Sequence, residues 1–426
     1  MTGGYDSVGA AARGQKLICL TVLLGAALIL SACSPEREDT DLETRARALH
    51  QQIISIDTHV DIPHEYASYE LDPGGYTIHQ VDLPKMRAGG LDAPFFVIYT
   101  PQGELSEDWY ARAAQFALGD YHAIRRLADG YPRQIALALT AAEVREIKSS
   151  GRRVALIGLE NGYPFGESTD PIEAWYDRGV RYIGLLHDGH NQFGDSAQPL
   201  VSRGDEETRH GGLSDLGRAA VREMNRLGIM VDVSHSARTT MLDMVETSAA
   251  PVIASHSNAR AMTDHPRNLD DEQLRALAQS GGVVQVTAFS SYLRPRSEEM
   301  TAARRHIAEE LGLRGREPLT PLPEALYFAY RQRTAELDAI EPRANVSDLI
   351  DNIDYITGLI GVEHVGISSD FGGGGGIIGW EDASTTVAIT AELMRRGYSD
   401  REIEMIWGGN LLRVMDEVER TARSFD

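Results

Sequence analysis

The stretch 55–63, SIDTHVDIP, sets a histidine and a carboxylate two residues apart behind a short apolar run. Ile53, Ile54 and Ile56 read as a buried strand over 53–57, with His59 and Asp61 just past its end. In extended chain, residues i and i+2 point to the same face. The imidazole and the carboxylate are therefore aimed at one spot, which raises the question of what else is aimed there.

Working outward, the chain alternates short apolar runs with helix-like stretches. Strands are expected at 53–57, 94–99, 154–159, 181–186, 229–233, 251–254, 282–287 and 364–368. Between them, LSDLGRAAVREMNRLG places Leu216, Ala220, Met224 and Leu227 on one helical face, with Gly228 suited to the C′ position. Asp caps open the DDEQLRALAQSGG helix, and Ser399 with Glu402 has the spacing of a capping box. Eight strands alternating with helices predict an α/β fold, a (β/α)8 TIM-like barrel. An open doubly wound sheet is the competing topology, weakened because no G-x-G-x-x-G follows the first strand. The charged, helix-prone stretch 291–345 is expected to be a helical insertion between strands 7 and 8, a lid or a subunit contact.

Chemistry in such barrels gathers at the C-terminal ends of the strands. Those ends carry His59 and Asp61, Glu160 in LIGLEN, His187 in IGLLH, His235 in VDVSH, His256 in IASHS and Asp370 in GISSD. A single histidine after a strand is more often a core or capping residue, and a single Asp is more often an N-cap. Six of eight strands marking one rim is not explained that way, the more so as the chain has only 13 histidines. The set is too large for one four-coordinate zinc. It suits two metals bridged by a carboxylate and held ~3.5–4 Å apart. Nitrogen and oxygen donors favour Zn²⁺ first, then Mn²⁺ or Co²⁺.

The composition narrows the partners. A formal net charge of −22 on 426 residues argues against nucleic acid, since phosphate contacts need clustered Lys and Arg. Arg13 and Lys16 precede the apolar run Leu17 to Leu30, which is short for a bilayer span and reads as the core of a signal peptide. LSAC, residues 30–33, resembles a bacterial lipobox. That implies a leader over 1–32, an acylated Cys33, a polar tether over 33–48 and one catalytic domain over 49–426. Ser34 after the cysteine resembles the outer-membrane sorting pattern, so the expected location is the periplasmic side of a bacterial membrane. Cys19 and Cys33 are the only cysteines, so any metal site must use His, Asp and Glu.

Taken in order, IDTHVD, GLEN, RYIGLLH, DVSH, IASHSNAR, HPRN and GISSDFGG resemble the membrane dipeptidase (renal dipeptidase) family of zinc peptidases, within the metal-dependent amidohydrolase type of barrel. The likeness runs over about 50 to 420. It implies that His59 and Asp61 hold one zinc, that His235 and His256 hold the other, and that Glu160 bridges them. It implies that His187 binds substrate and steadies the oxyanion, that Arg267 grips the substrate's free carboxylate, and that Asp370 is the acid-base group. The expected reaction is hydrolysis of dipeptides, with tolerance of a D-residue at the C-terminal position, and family analogy adds a homodimer. Val60 and Leu186 depart from the residues many relatives carry, and the glycine tract after Phe371 is longer than usual; these bear on substrate preference. An amidase or metabolite-tailoring enzyme on the same scaffold, and a lipid-anchored binding protein without activity, are the other readings. A phosphotriesterase-like hydrolase fits less well, because that group resembles a His-x-His start and a carbamylated lysine bridge.

Overall fold

A computed structural model describes residues 35–425. The leader and Cys33 lie outside the described residues. Among the described residues nine parallel strands form: β1 (Ile56–Asp61), β2 (Ala93–Tyr99), β3 (Ile135–Leu137), β4 (Arg153–Glu160), β5 (Val180–Gly184), β6 (Met230–Asp232), β7 (Ile253–Ala254), β8 (Val283–Thr287) and β9 (Val365–Ser368). Eight of them pair in the order β1-β2-β4-β5-β6-β7-β8-β9, while β3 pairs with β4 outside that path. A bridge from Val60 to Phe371, with the Asp61 amide donating to the Phe371 carbonyl at 2.7 Å, brings the first strand back to the last. The result is a nearly closed (β/α)8 barrel.

Two elements differ from the sequence expectation. The first strand begins at Ile56, because Ile53 still donates to the Leu49 carbonyl of a preceding helix, Pro35–Gln52. His59 and Asp61 therefore sit within the strand, where the alternation that aligns them is enforced by pairing with β2. That helix also occupies much of the stretch expected as a tether, and its Ala46 and Leu49 are buried. Strand β3 is only three residues long, too short to stand out from its surroundings in the sequence.

The helices follow their local signals. Ser214 caps Asp215–Leu227 through the Gly217 amide, and Gly228 closes it at φ 85°. Ala220 and Met224 of that helix are buried, as the periodicity requires. Asp270 and Ser399 each complete a capping box, with Gln273 and Glu402. The stretch between β8 and β9 holds the helices Ser290–Leu293, Glu298–Glu310 and Glu324–Glu336 ahead of the barrel helix Val346–Ile360. The insertion between the seventh and eighth barrel strands is thus helical, as expected.

Candidate metal centre

Each predicted rim residue lies at the C-terminal end of its strand. His59 and Asp61 come from β1 and Glu160 ends β4. His187, His235, His256 and Asp370 follow β5, β6, β7 and β9 within three residues. All seven line one cavity of about 240 Å³. Glu160 is at its middle. Its Oε1 is 3.0 Å from His235 Nε2 and 3.2 Å from His256 Nε2, and its Oε2 is 3.7 Å from His59 Nε2. Asp61 Oδ2 is 3.3 Å from the same His59 nitrogen. Asp370 joins His59 and Asp61 in one group of donors, and His187 joins Glu160 and His235 in another.

The backbone is bent to achieve this. His235 and Asp370 have φ of 66° and 57°, and Asn161, next to Glu160, has 77°. Left-handed backbone at non-glycine residues costs on the order of 1–3 kcal/mol each and persists where the surroundings impose it. The glycine tract has a related reason. A Cβ on Gly373 would stand 2.3 Å from Asp370 Oδ1 and 2.5 Å from Asp61 Oδ2, so only glycine lets the chain pass both carboxylates.

Oxygens around the cavity face the outer nitrogens of the imidazoles, and for His256 the contact is a hydrogen bond from behind. Asp232 accepts the Ser255 hydroxyl hydrogen at 2.6 Å, so Ser255 Oγ is left to accept from His256 Nδ1 at 2.7 Å. His256 Nε2 then carries a lone pair. The Tyr182 hydroxyl donates to the Thr58 carbonyl at 3.0 Å and stands 3.5 Å from His59 Nδ1. His235 Nδ1 faces Asp188 Oδ1 at 3.6 Å. Each of the three rings thus turns Nδ1 toward an oxygen and Nε2 toward Glu160. His235 Nε2 and His256 Nε2 face each other at 3.1 Å. Glu160 Oε1 and Asp61 Oδ2 are buried without a hydrogen-bond donor. Converging imidazole nitrogens and acceptor-only oxygens fit a cation, and an imidazole held from behind, as His256 is, is the usual support of a metal ligand.

The electrostatics agree. Burial raises Glu160 to about 8 and Asp370 to about 7, His59 draws both down, and the Asp61 carboxylate adds to each rise. Burial alone would lower His59, but Glu160 and Asp61 outweigh it and push it up to about 10. The cavity therefore collects protons in place of other positive charge, and a dication would reverse these shifts. Burial lowers His235 and His256 well below the ordinary range, with nearby Arg267 and His59 adding to the effect on both. His187 is lowered to about 4, mainly by burial, so it is a neutral hydrogen-bond donor near pH 7.

Arg267 stands one layer back. It does not line the cavity, yet it is buried, donating from Nη2 to the His256 carbonyl at 3.3 Å with its guanidinium 5.5 Å from the Tyr292 ring centre. Its Nε has no partner, and no carboxylate of the described residues forms an ion pair with it. A buried guanidinium without a counter-charge is costly to keep.

Sequence reading missed several members of the site. Asp188, Tyr99, Phe289 and Tyr292 also line the cavity. Asp188 directly follows His187 and Tyr99 ends β2, so both carried a positional signal. The supporting Asp232, Ser255 and Tyr182 did not. A second cavity of about 300 Å³, mostly apolar, adjoins the first beside Asp61 and Tyr99 and is walled by Pro318, Leu322 and Tyr327 of the insertion.

A parallel barrel with His, Asp and Glu side chains gathered at its C-terminal rim has the layout of a metal-assisted active site. A family model for membrane dipeptidase (peptidase family M19) matches residues 43–426, and the chain belongs to that family. Dipeptidase aclJ of Aspergillus oryzae is 32% identical over 353 residues, which span 81% of this chain and 71% of that protein. Dipeptidase verJ of Clonostachys rogersoniana is 31% identical over 395 residues, 89% of this chain and 88% of that one. The crystal structure of the probable dipeptidase PvdM from Pseudomonas aeruginosa superposes with a TM-score of 0.80 at 32% identity, covering 90% of this chain and all of that one. The chain is a dipeptidase-class hydrolase, and its family is one of metallopeptidases.

Proposed function

We propose that the protein is a dizinc dipeptidase that hydrolyses the peptide bond of free dipeptides, D-residues at the C-terminal position included. The observation that carries this reading is the convergence of His59, His235 and His256 Nε2 on Glu160, with Asp61 beside His59. His59 and Asp61 would hold one ion, His235 and His256 the other, and Glu160 both. Zinc there supplies Lewis acidity and brings the pKa of water toward ~7.

The chain's own residues do the rest. Asp370, buried at the cavity wall, takes a proton from the attacking water and returns it to the leaving amine. Neutral His187 donates an N–H to the developing oxyanion, a contact of the kind worth ~3–4 kcal/mol when it is lost. Arg267, with no carboxylate of its own, offers two parallel hydrogen bonds to the substrate's terminal carboxylate. The apolar cavity beside Asp61 suits a substrate side chain. A stereochemically varied dipeptide library tests the substrate class, and turnover confined to non-peptide amides would overturn it.

The Arg267 role has its own test. Hydrogen bonds to charged groups contribute ~1.5–3 kcal/mol, so Arg267→Met should lower kcat/KM on a free dipeptide by roughly 10–150-fold. The same dipeptide amidated at its C-terminus should lose little more, because it never used the clamp. Equal losses on both substrates would remove Arg267 from carboxylate recognition.

We further propose that Cys33 is acylated and holds the enzyme on the periplasmic side of a bacterial membrane, with the Ser34 signal directing it to the outer one. Acyl chains contribute ~0.8 kcal/mol per buried CH₂. Among the described residues no helix is long and apolar enough to cross a membrane. Cys33→Ser should therefore move the protein into the soluble fraction of lysed cells, and unchanged membrane association would point to another anchor.

A further inference from the structure

A cavity of about 450 Å³ opens at the end of the barrel opposite the metal centre. It lies at the N-terminal ends of the strands, since Asp92 immediately precedes β2 and Arg153 opens β4. The chain as a whole has 63 acidic and 41 basic residues, yet five of the basic ones border this cavity with a single acid, Asp92. Lys148 and Arg153 both spend themselves on that acid, Lys148 at 2.5 Å. Arg47 pairs with Glu43 at 2.7 Å. Arg87 donates only to the neutral amide of Gln134, and Arg152 only to Ser150 Oγ and the Pro132 carbonyl. Among the described residues, two guanidinium groups and one positive charge of the Asp92 cluster are therefore left without counter-charge.

Two buried donors on the same lining lack partners, Arg153 Nε and His50 Nδ1. The Thr390 hydroxyl accepts the Trp407 indole hydrogen at 2.7 Å and meets His50 Nε2 at 2.9 Å. Indole is a donor only, so the arrangement that uses the Thr390 hydrogen leaves Nε2 accepting and Nδ1 protonated. That Nδ1 edge lies beside Gly90, where a Cβ would stand 3.6 Å from it. The local potential is positive enough that, after burial, Lys148, Arg47 and Arg153 help lower His50 to about 4. Guanidinium forks set around such donors match the oxygens of a phosphate group.

We propose that this cavity is a binding site for a phosphate-type oxyanion. Free phosphate and a phospholipid headgroup share that chemistry. The headgroup is a source because the helix Pro35–Gln52, which supplies Arg47 and His50, begins two residues after Cys33 in the sequence, where the lipid anchor is proposed. The site itself does not depend on that anchor or on the dipeptidase reading.

The test is calorimetric titration of the full chain in detergent, at constant ionic strength set with chloride. One arm uses inorganic phosphate and the other dihexanoyl phosphatidylglycerol. Saturable phosphate binding is expected, and it should persist in Glu160→Gln, which keeps the metal centre out of the result. Arg87→Gln with Arg152→Gln should weaken it roughly tenfold or more. Both arginines lie at the surface with neutral partners, and an unchanged melting temperature confirms that the double variant folds. Binding in the lipid arm with the same arginine dependence assigns the headgroup, and binding of phosphate alone assigns the free anion. No saturable binding of either at millimolar concentration, or equal affinity in the double variant, overturns the site.

Discussion

Glu160→Gln is expected to strip the metal and the activity together. The two side chains have the same shape, so the barrel should fold unchanged and only the charge is removed. Glu160 stands 3.0–3.7 Å from three imidazole Nε2 atoms, each of which can bind a cation once it carries no proton. A carboxylate offers each of two dications an anionic oxygen. An amide offers one neutral oxygen and turns two N–H groups toward a position that needs an acceptor. Changes behind a metal's ligands already cost ~10–100-fold in affinity or activity, so loss of the bridging ligand itself should exceed that. Elemental analysis after dialysis, with dipeptide turnover on the same sample, reads both effects. A variant that kept full metal and near-normal turnover would show that Glu160 does not hold the centre.

Asp370→Asn is expected to separate what Glu160→Gln joins: metal retained, turnover down roughly 10²–10⁴-fold, the usual contribution of a general acid-base group. The substitution is well suited to the position. Asp370 sits at φ 57°, in the left-handed region that asparagine also tolerates, and an amide fits where the carboxylate packs against Gly373. The backbone strain is preserved and only the titratable proton is lost. Because Asp370 is grouped with His59 and Asp61, a ligand role is the direct competitor. Metal content falling in step with activity would make Asp370 a ligand, and near-normal turnover would remove it from the chemistry altogether.

The rim was legible in the sequence because strand ends are local. A short continuous apolar run followed by His, Glu or Asp can be read within a few residues, and the barrel then requires those residues to meet. Glu160, His187, His235, His256 and Asp370 were found that way. The start of β1 was misplaced because Ile53 and Ile54 are as apolar as a strand, while the helix ending at Gln52 carries a polar face that resembles a tether. What holds the imidazoles was hidden for a different reason. Ser255 bonds Asp232 from 23 residues away, and Tyr182 approaches His59 from 123, so no window of sequence contains either contact. The burial of Arg267 was equally invisible, since it comes from outside HPRN, where Tyr292 of the insertion is laid against the guanidinium. The cationic cavity at the far end gathers from four separate segments and has no motif at all.

The central claim is that these ligands hold a pair of ions around Glu160. Its most direct measurement is the metal content of the purified, active chain after exhaustive dialysis, by elemental analysis against an amino-acid count of the same sample. The account predicts about two zinc ions per chain, and a reproducible value of one or none in fully active protein would contradict it.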